Sequence, residues 1–191
     1  MGIIKFTEKA NACFYQTAEL KKIAGGYYFT EGPVWDSIEK CLYFTNFQDN
    51  TIYRFKEREG TSLYRKESGR AVGLSLAADG RIVSAETSSH AVTFAGETKS
   101  EVIAGTYQGK ILNSPNDVVC RSDGLIYFTD PDYGRQDAPA GVGRPIPSDK
   151  RPVYILNPDT GEIRTGADTF KNPNGLCFSI DEKSLAKIGR A

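Results

Sequence analysis

Short runs of alternating apolar and polar residues recur along this chain, separated by turns. Four blocks begin at Glu31, Val72, Asn116 and Asn174, and they read EGPVWDSIEKCLYFTN, VGLSLAADGRIVSAET, NDVVCRSDGLIYFTDP and NGLCFSIDEKSLAKIG. In each block a first alternating run is followed by a turn rich in Asp, Gly, Ser or Lys and then by a second run. A two-residue period is typical of half-buried strands, so each block predicts a β-hairpin. Because no long stretch shows the apolar spacing of a helix, we expect an all-β protein.

The spacing of the blocks predicts a β-propeller. Gly32, Gly73, Asp117 and Gly175 hold the same place in the four blocks and lie 41, 44 and 58 residues apart. The first two spacings match the roughly 40 to 45 residues of a four-stranded propeller blade. The runs TIYRFKE, HAVTFAG and PVYILNP supply the next strand of each unit. A β-sandwich of short strands is the alternative, and the repetition of whole blocks favours the propeller.

The third spacing is the longest, and its surplus lies in a segment rich in Gly, Pro and charge at about residues 135–151. This composition predicts a surface loop inserted in one blade. We expect residues 1–191 to form one partial propeller domain of about three and a half blades. The strand pattern weakens at Leu185, which leaves an atypical tail at 186–191. Such a pattern is expected of a truncated or frameshifted propeller gene.

Charge and composition argue against several classes of partner. The 191 residues include 24 Lys and Arg and 24 Asp and Glu, so the formal net charge is zero. Proteins that bind nucleic acids or anionic membranes through basic patches are strongly positive. The chain also contains no apolar run of the length of a signal peptide or a membrane span. We therefore expect a cytoplasmic protein that binds neither nucleic acid nor membranes.

Cysteine and histidine give little support to a zinc site or to covalent catalysis. The cysteines are scattered singly with no C-x-x-C pair, which predicts reduced core thiols: Cys13, Cys41, Cys120 and Cys177. The single histidine, His90, excludes a multi-histidine metal site, and its context SSHAVTF favours a strand or turn residue over a catalytic one. No G-x-S-x-G motif is present.

Three of the four blocks open on a polar residue: Glu31, Asn116 and Asn174. Equivalent positions at the start of the inner strands of a propeller converge on one mouth of its channel, so we expect these side chains to meet. Their oxygens suit calcium, magnesium or manganese, and zinc also accepts carboxylate oxygen. The alternative for each asparagine is a turn residue bonded to its own backbone. A complete ligand set would need one more carboxylate.

Other polar and aromatic residues are weaker candidates for a site. Four acidic residues are explained equally well as strand ends or turn residues and as parts of a functional site: Glu86, Asp117, Asp130 and Asp132. Trp35 and the pairs Tyr43-Phe44 and Tyr127-Phe128 are predicted to pack on the sheets, and stacking on a ligand is the minority option.

Several motifs in order resemble the gluconolactonase branch of the senescence-marker-protein/gluconolactonase-like family: EGPVW, LYFTN, IYRF, KILNSPNDVV, SDGLIYFTDPDYG and NPNGLCFS. Members are six-bladed propellers that hydrolyse sugar lactones with a bound divalent cation. The resemblance implies that Glu31 and Asn174 are metal ligands, with calcium the first choice, and that Asn116 contacts the sugar lactone. Ser114 stands where regucalcin-type relatives have a substrate-binding arginine. The family's remaining ligand, an Asp that is also the base, is expected beyond residue 191, so no catalytic residue is assigned.

Two functions remain open from the sequence. The first is metal-dependent hydrolysis of a gluconolactone-like lactone, by this chain or as the amino-terminal part of an enzyme, with a carboxylate taking a proton from water. The second is a non-catalytic propeller fragment that binds a cation or a partner. The Asp ligand that is expected beyond residue 191 discriminates between the two functions. Because no residue of this chain matches it, we expect the isolated chain to hydrolyse lactones poorly.

Overall fold

The computed structural model describes residues 19–135, 145 and 150–190. In this part of the chain the regular elements are β-strands and one 3₁₀ helix, Tyr133–Arg135. The prediction of an all-β protein is confirmed. No helix among the described residues has the length and hydropathy of a membrane span.

The strands form consecutive antiparallel sheets in chain order. The first sheet contains β1 (Thr30–Asp36), β2 (Cys41–Asn46), β3 (Thr51–Lys56) and β4 (Gly60–Lys66). The second contains β5 (Ala71–Leu76), β6 (Ile82–Glu86), β7 (Ala91–Ala95) and β8 (Ser100–Ala104), and it is followed by the hairpin of β9 (Thr106–Tyr107) and β10 (Lys110–Ile111). The third contains β11 (Val118–Cys120), β12 (Ile126–Thr129), β13 (Val153–Leu156) and β14 (Ile163–Ala167), and a two-stranded sheet of β15 (Asn172–Phe178) and β16 (Leu185–Arg190) comes last.

The three four-stranded sheets and the last two-stranded sheet are successive propeller blades, and their first strands lie side by side. Strand β1 contacts β5, β5 contacts β11, and β11 contacts β15. Three full blades and one two-stranded blade agree with the expected three and a half.

The hydrophobic core lies between neighbouring blades rather than within any one sheet. Between the first two blades, Cys41, Tyr43 and Ile52 pack against residues that include Leu74 and Ile82. A larger cluster joins the second and third blades and includes Val83, Val92, Phe94, Ile126, Phe128 and Leu156. Burying these apolar faces stabilises the stack of blades, because each sheet covers its neighbour.

Two predictions about packing were wrong for residues on the outermost faces. Trp35 is 53% exposed, because it points to the face of β1 opposite Val34, and Val34 is the residue that packs towards the second blade. Cys177 is exposed on β15, whereas Cys41 is buried as expected of a core thiol. Cys13 lies outside the described residues.

Two further segments bear on the sequence predictions. Most of the expected inserted loop at 135–151 lies outside the described residues, and its described ends connect β12 to β13 in the third blade. Residues from Leu185 onwards form β16, although their pattern did not indicate a strand. They pair in register with β15, with Phe178 opposite Leu185 and Leu176 opposite Lys187. Backbone pairing with a neighbour overrides weak local propensity.

Candidate functional site

A cavity of about 310 Å³ opens where the first strands of the four blades begin. Its lining includes Glu31 of β1, Gly73 of β5, Asn116 and Asp117 immediately before β11, and Asn174 of β15. The structure therefore brings together Glu31, Asn116 and Asn174, as their equivalent places in the repeat predicted.

The polar side chains of the three predicted site residues have no hydrogen-bond or ion-pair partner among the residues that the structure describes. These residues are Glu31, Asn116 and Asn174. Asn116 is only 9% exposed, Glu31 is partly exposed and Asn174 is exposed. Polar side chains that line one cavity and have no partner among the described residues are available to a ligand.

The backbone on either side of Asn116 is held by two neighbouring strands. The N–H of Asn116 donates to the carbonyl oxygen of Thr129 at 3.1 Å, and the Asn116 carbonyl oxygen accepts from the Gly73 N–H at 2.8 Å. Asn116 is thus tied both to β12 of its own blade and to β5 of the preceding blade. This leaves its side chain as the group that can contact a ligand.

Asn174 is held by a hydroxyl of the third blade. The Thr129 hydroxyl donates to the Asn174 carbonyl oxygen at 2.8 Å. In the first blade, Thr45 donates in the same way to the carbonyl oxygen of Val72 on β5, at 3.1 Å. A threonine on the second strand of one blade therefore fastens the first strand of the next, and this fixes the walls of the cavity.

Asp117, which the sequence did not distinguish from a turn residue, is a partly buried carboxylate in the lining of this cavity. Its Oδ1 accepts from the Val118 N–H at 2.9 Å, and its Oδ2 accepts from the Leu176 N–H at 2.7 Å. Burial raises the pKa of Asp117, and the two backbone donors act in the opposite direction. The repeat contained a signal for this residue, since Asp117 stands where the other three blocks have glycine.

The electrostatics of the cavity favour a cation. Burial raises the pKa of Glu31, and the nearby charge of Asp117 raises it further. Two carboxyl groups that disfavour each other's ionisation would be stabilised by a positive ion between them. Within the described residues no group of three or more His, Cys, Asp or Glu side chains forms a metal site. The donors present are carboxylate and amide oxygens, which fit a hard divalent cation.

Asp130 is a buried carboxylate that the sequence did not distinguish from a turn residue. Its two oxygens accept from the N–H groups of Asn113 and Ser114, each at 2.8 Å. Burial raises its pKa to about 7, and Arg135 and these donors counteract part of that effect. Asp130 therefore braces the segment that leads to Asn116 and does not line the cavity.

Two other polar candidates serve the structure around this segment. Ser114 donates from Oγ to the Pro131 carbonyl oxygen at 2.6 Å and is buried, so its hydroxyl is engaged within the fold. His90 lies in a turn with a φ of 54°, and its Nδ1 is 2.6 Å from the Asn113 carbonyl oxygen. This agrees with the expectation of a turn residue.

The remaining acidic candidates also lie outside the cavity lining. Glu86 accepts from the Thr93 hydroxyl at 2.7 Å inside the second blade. Asp132 forms an ion pair with Arg151 at 2.6 Å. These contacts give the side chains of Glu86 and Asp132 a structural role.

The fold and the cavity together define a β-propeller with a polar opening at the start of its inner strands. Residues 29–186 match the family model described as the SMP-30/Gluconolactonase/LRE-like region. The chain belongs to this family, which confirms the resemblance found in the sequence.

Individual relatives agree with this assignment. A gluconolactonase of Zymomonas mobilis is 28% identical over 198 residues, covering 96% of this chain and 55% of the relative. The structure of a gluconolactonase from Xanthomonas campestris superposes with a TM-score of 0.80 at 29% identity, covering 84% of this chain and 54% of that one. A calcium-binding regucalcin from Agrobacterium tumefaciens shares the fold, with a TM-score of 0.64 at 13% identity, covering 85% of this chain and 50% of that one. The chain spans about half the length of each.

Proposed function

We propose that this chain contributes the site of a metal-dependent hydrolase that opens a gluconolactone-like sugar lactone to its aldonic acid. The observation that supports this most strongly is that Glu31, Asn116 and Asn174 line one cavity, and that their side chains have no hydrogen-bond or ion-pair partner among the residues that the structure describes. Membership of the family and the two gluconolactonase relatives support the same substrate class.

In this proposal Glu31 and Asn174 are the metal ligands and Asn116 contacts the lactone. Calcium is the first choice of cation because every available donor is an oxygen, and magnesium, manganese and zinc are the alternatives. When bound, the cation would supply Lewis acidity to the lactone carbonyl.

The chain's own residues orient the reactants. Glu31 supplies negative charge to the cavity that Asn174 also lines. Asn116, held by backbone hydrogen bonds to two strands, has an amide that can donate to a sugar oxygen. Among the carboxylates of the described cavity lining, Asp117 already accepts two backbone N–H groups. No base is therefore assigned to activate the water.

The test is isothermal titration of the 191-residue chain with calcium, magnesium, manganese or zinc, using Glu31→Gln and the control Glu57→Gln. Glu57 is exposed on the first blade and far from the cavity in sequence and sheet order. We expect Glu31→Gln to weaken binding at least about tenfold, in the range found for lost support of metal sites, and Glu57→Gln to leave it unchanged. Equal binding by wild type and Glu31→Gln would contradict the assignment.

A parallel assay of lactone opening with a pH indicator, corrected for spontaneous hydrolysis, separates the two functions. Cation-dependent opening that Glu31→Gln abolishes supports the hydrolase, even when the opening is much slower than ordinary enzyme turnover. Cation binding with no opening of any sugar lactone supports the non-catalytic binding module instead.

A further inference from the structure

Asp117 occupies a position where the repeat otherwise has no side chain. Its counterparts in the other blocks are Gly32, Gly73 and Gly175. The neighbouring second blade leaves room for the extra carboxylate, because a Cβ added to Gly73 would clash with Asp117 Oδ1. The glycine at position 73 and the aspartate at position 117 thus fit together, whereas a Cβ at Gly175 would be in ordinary contact with Asp117 Oδ2 at 3.6 Å.

The carboxylate of Asp117 links the third blade to the strand that contains Asn174. Its Oδ2 accepts from the N–H of Leu176 at 2.7 Å, two residues after Asn174 on β15. The pairing of β15 with β16 is irregular between Pro173 and Leu176, so the backbone around Asn174 is not held by a regular ladder. The bond from Leu176 to Asp117 supplies a fixed point at the end of this irregular stretch.

Resting on the proposed function, we infer that Asp117 is a positioning residue for cation binding: it holds β15 so that Asn174 faces the cavity, and it adds a second negative charge beside Glu31. Glu31 and Asp117 line the same cavity, and the Leu176 N–H that Asp117 binds belongs to the cavity lining as well. A purely structural alternative is that Asp117 only fastens two blades together.

Glu182 separates these two explanations, because it fastens the same two blades at the other end of β11 and β15. Its carboxylate accepts from the Ser122 N–H at 3.1 Å and from the Ser122 hydroxyl at 2.5 Å, and it is remote from the cavity lining. Glu182→Gln is therefore a matched control for the loss of an acidic link between these blades.

The experiment titrates calcium and manganese, each alone, into the wild-type 191-residue chain, Asp117→Asn and Glu182→Gln, and measures urea unfolding midpoints in parallel. We expect Asp117→Asn to weaken cation binding by about 10- to 100-fold and Glu182→Gln to change it less than about twofold. Asp117→Ser keeps an acceptor oxygen without the charge and should weaken cation binding to a similar extent. It provides a second test of the inference if Asp117→Asn does not fold.

The outcomes distinguish the inference from the function on which it rests. If the wild type binds and Asp117→Asn binds within about twofold of it, the inference is overturned and the proposed function stands. If both variants weaken binding equally, Asp117 only fastens the blades and the inference is again overturned. If the wild type binds neither cation, the proposed function fails and the inference fails with it.

Discussion

The N–H of Gly73 donates to the carbonyl oxygen of Asn116 at 2.8 Å, which joins the first strands of the second and third blades beside the cavity. This close approach requires glycine, because a Cβ at position 73 would lie 2.7 Å from the Asp117 Cα. One backbone hydrogen bond therefore couples the packing of two blades to the placement of the candidate substrate-binding asparagine.

Gly73→Ala should destabilise the protein and disturb the cavity together. We expect the free energy of unfolding to fall by about 1–3 kcal/mol, the usual cost of overpacking, measured by urea denaturation followed by fluorescence. Gly105→Ala is the control, since its added Cβ would meet only Val102 Cγ1 at 3.7 Å. Similar stability losses in both variants would contradict the role given to the Gly73 contact.

Thr129→Val should loosen the strand that contains Asn174. The Thr129 hydroxyl donates to the Asn174 carbonyl oxygen and accepts from the Asp117 N–H at 3.0 Å. Because valine has nearly the same shape, the change leaves two backbone groups without a partner and should cost about 1–3 kcal/mol. The control is Thr98→Val in an exposed turn. A thermal midpoint unchanged by Thr129→Val would show that the hydroxyl is dispensable.

Asp130 should make stability fall as the pH rises. Burial raises its folded-state pKa from 3.8 to about 7, so the native state holds a proton that the unfolded state has released. The stabilisation linked to this proton is complete below the unfolded pKa and is lost as the pH rises through about 7. Urea denaturation of wild type and Asp130→Asn from roughly pH 5 to roughly pH 8 measures it.

The stability difference between wild type and Asp130→Asn is the quantity to compare across this pH range. We expect the wild type to lose stability relative to the asparagine variant as the pH increases. A difference that stays constant would mean that Asp130 does not titrate in this range.

Lactone hydrolysis by the 191-residue chain should be slow. Within the described cavity no carboxylate is both unengaged and separate from the proposed ligands, so the general-base contribution of about 10²–10⁴-fold is missing. We expect turnover of gluconolactone below the roughly 1–10³ per second of ordinary enzymes, measured with added cation and corrected for spontaneous opening. Turnover within that range, abolished by Glu31→Ala, would show that these residues provide their own base.

Part of the site was predictable because the repeat is a local pattern. Alternation along each run and the Asp-Gly turns reflect backbone geometry, and they identify the hairpins from neighbouring residues alone. The equal placement of Glu31, Asn116 and Asn174 in three blocks then required only that blades be arranged around an axis. Their convergence on one cavity follows from that symmetry.

Other features depended on which segments lie across from each other. Asp117 and Asp130 look alike in sequence, yet one lines the cavity and the other braces a segment beside it, because their partners come from residues 176 and 113–114. Strand β16 forms because β15 is available to pair with it.

The sequence by itself determined the all-β class, the blade repeat and the three polar residues that meet, since these arise from short-range periodicity. Tertiary structure decided the exposure of Trp35, the place of Asp117 in the cavity lining and the raised pKa of Asp130. Burial and electrostatic environment depend on atoms brought close by the packing of distant segments, and no local pattern encodes them.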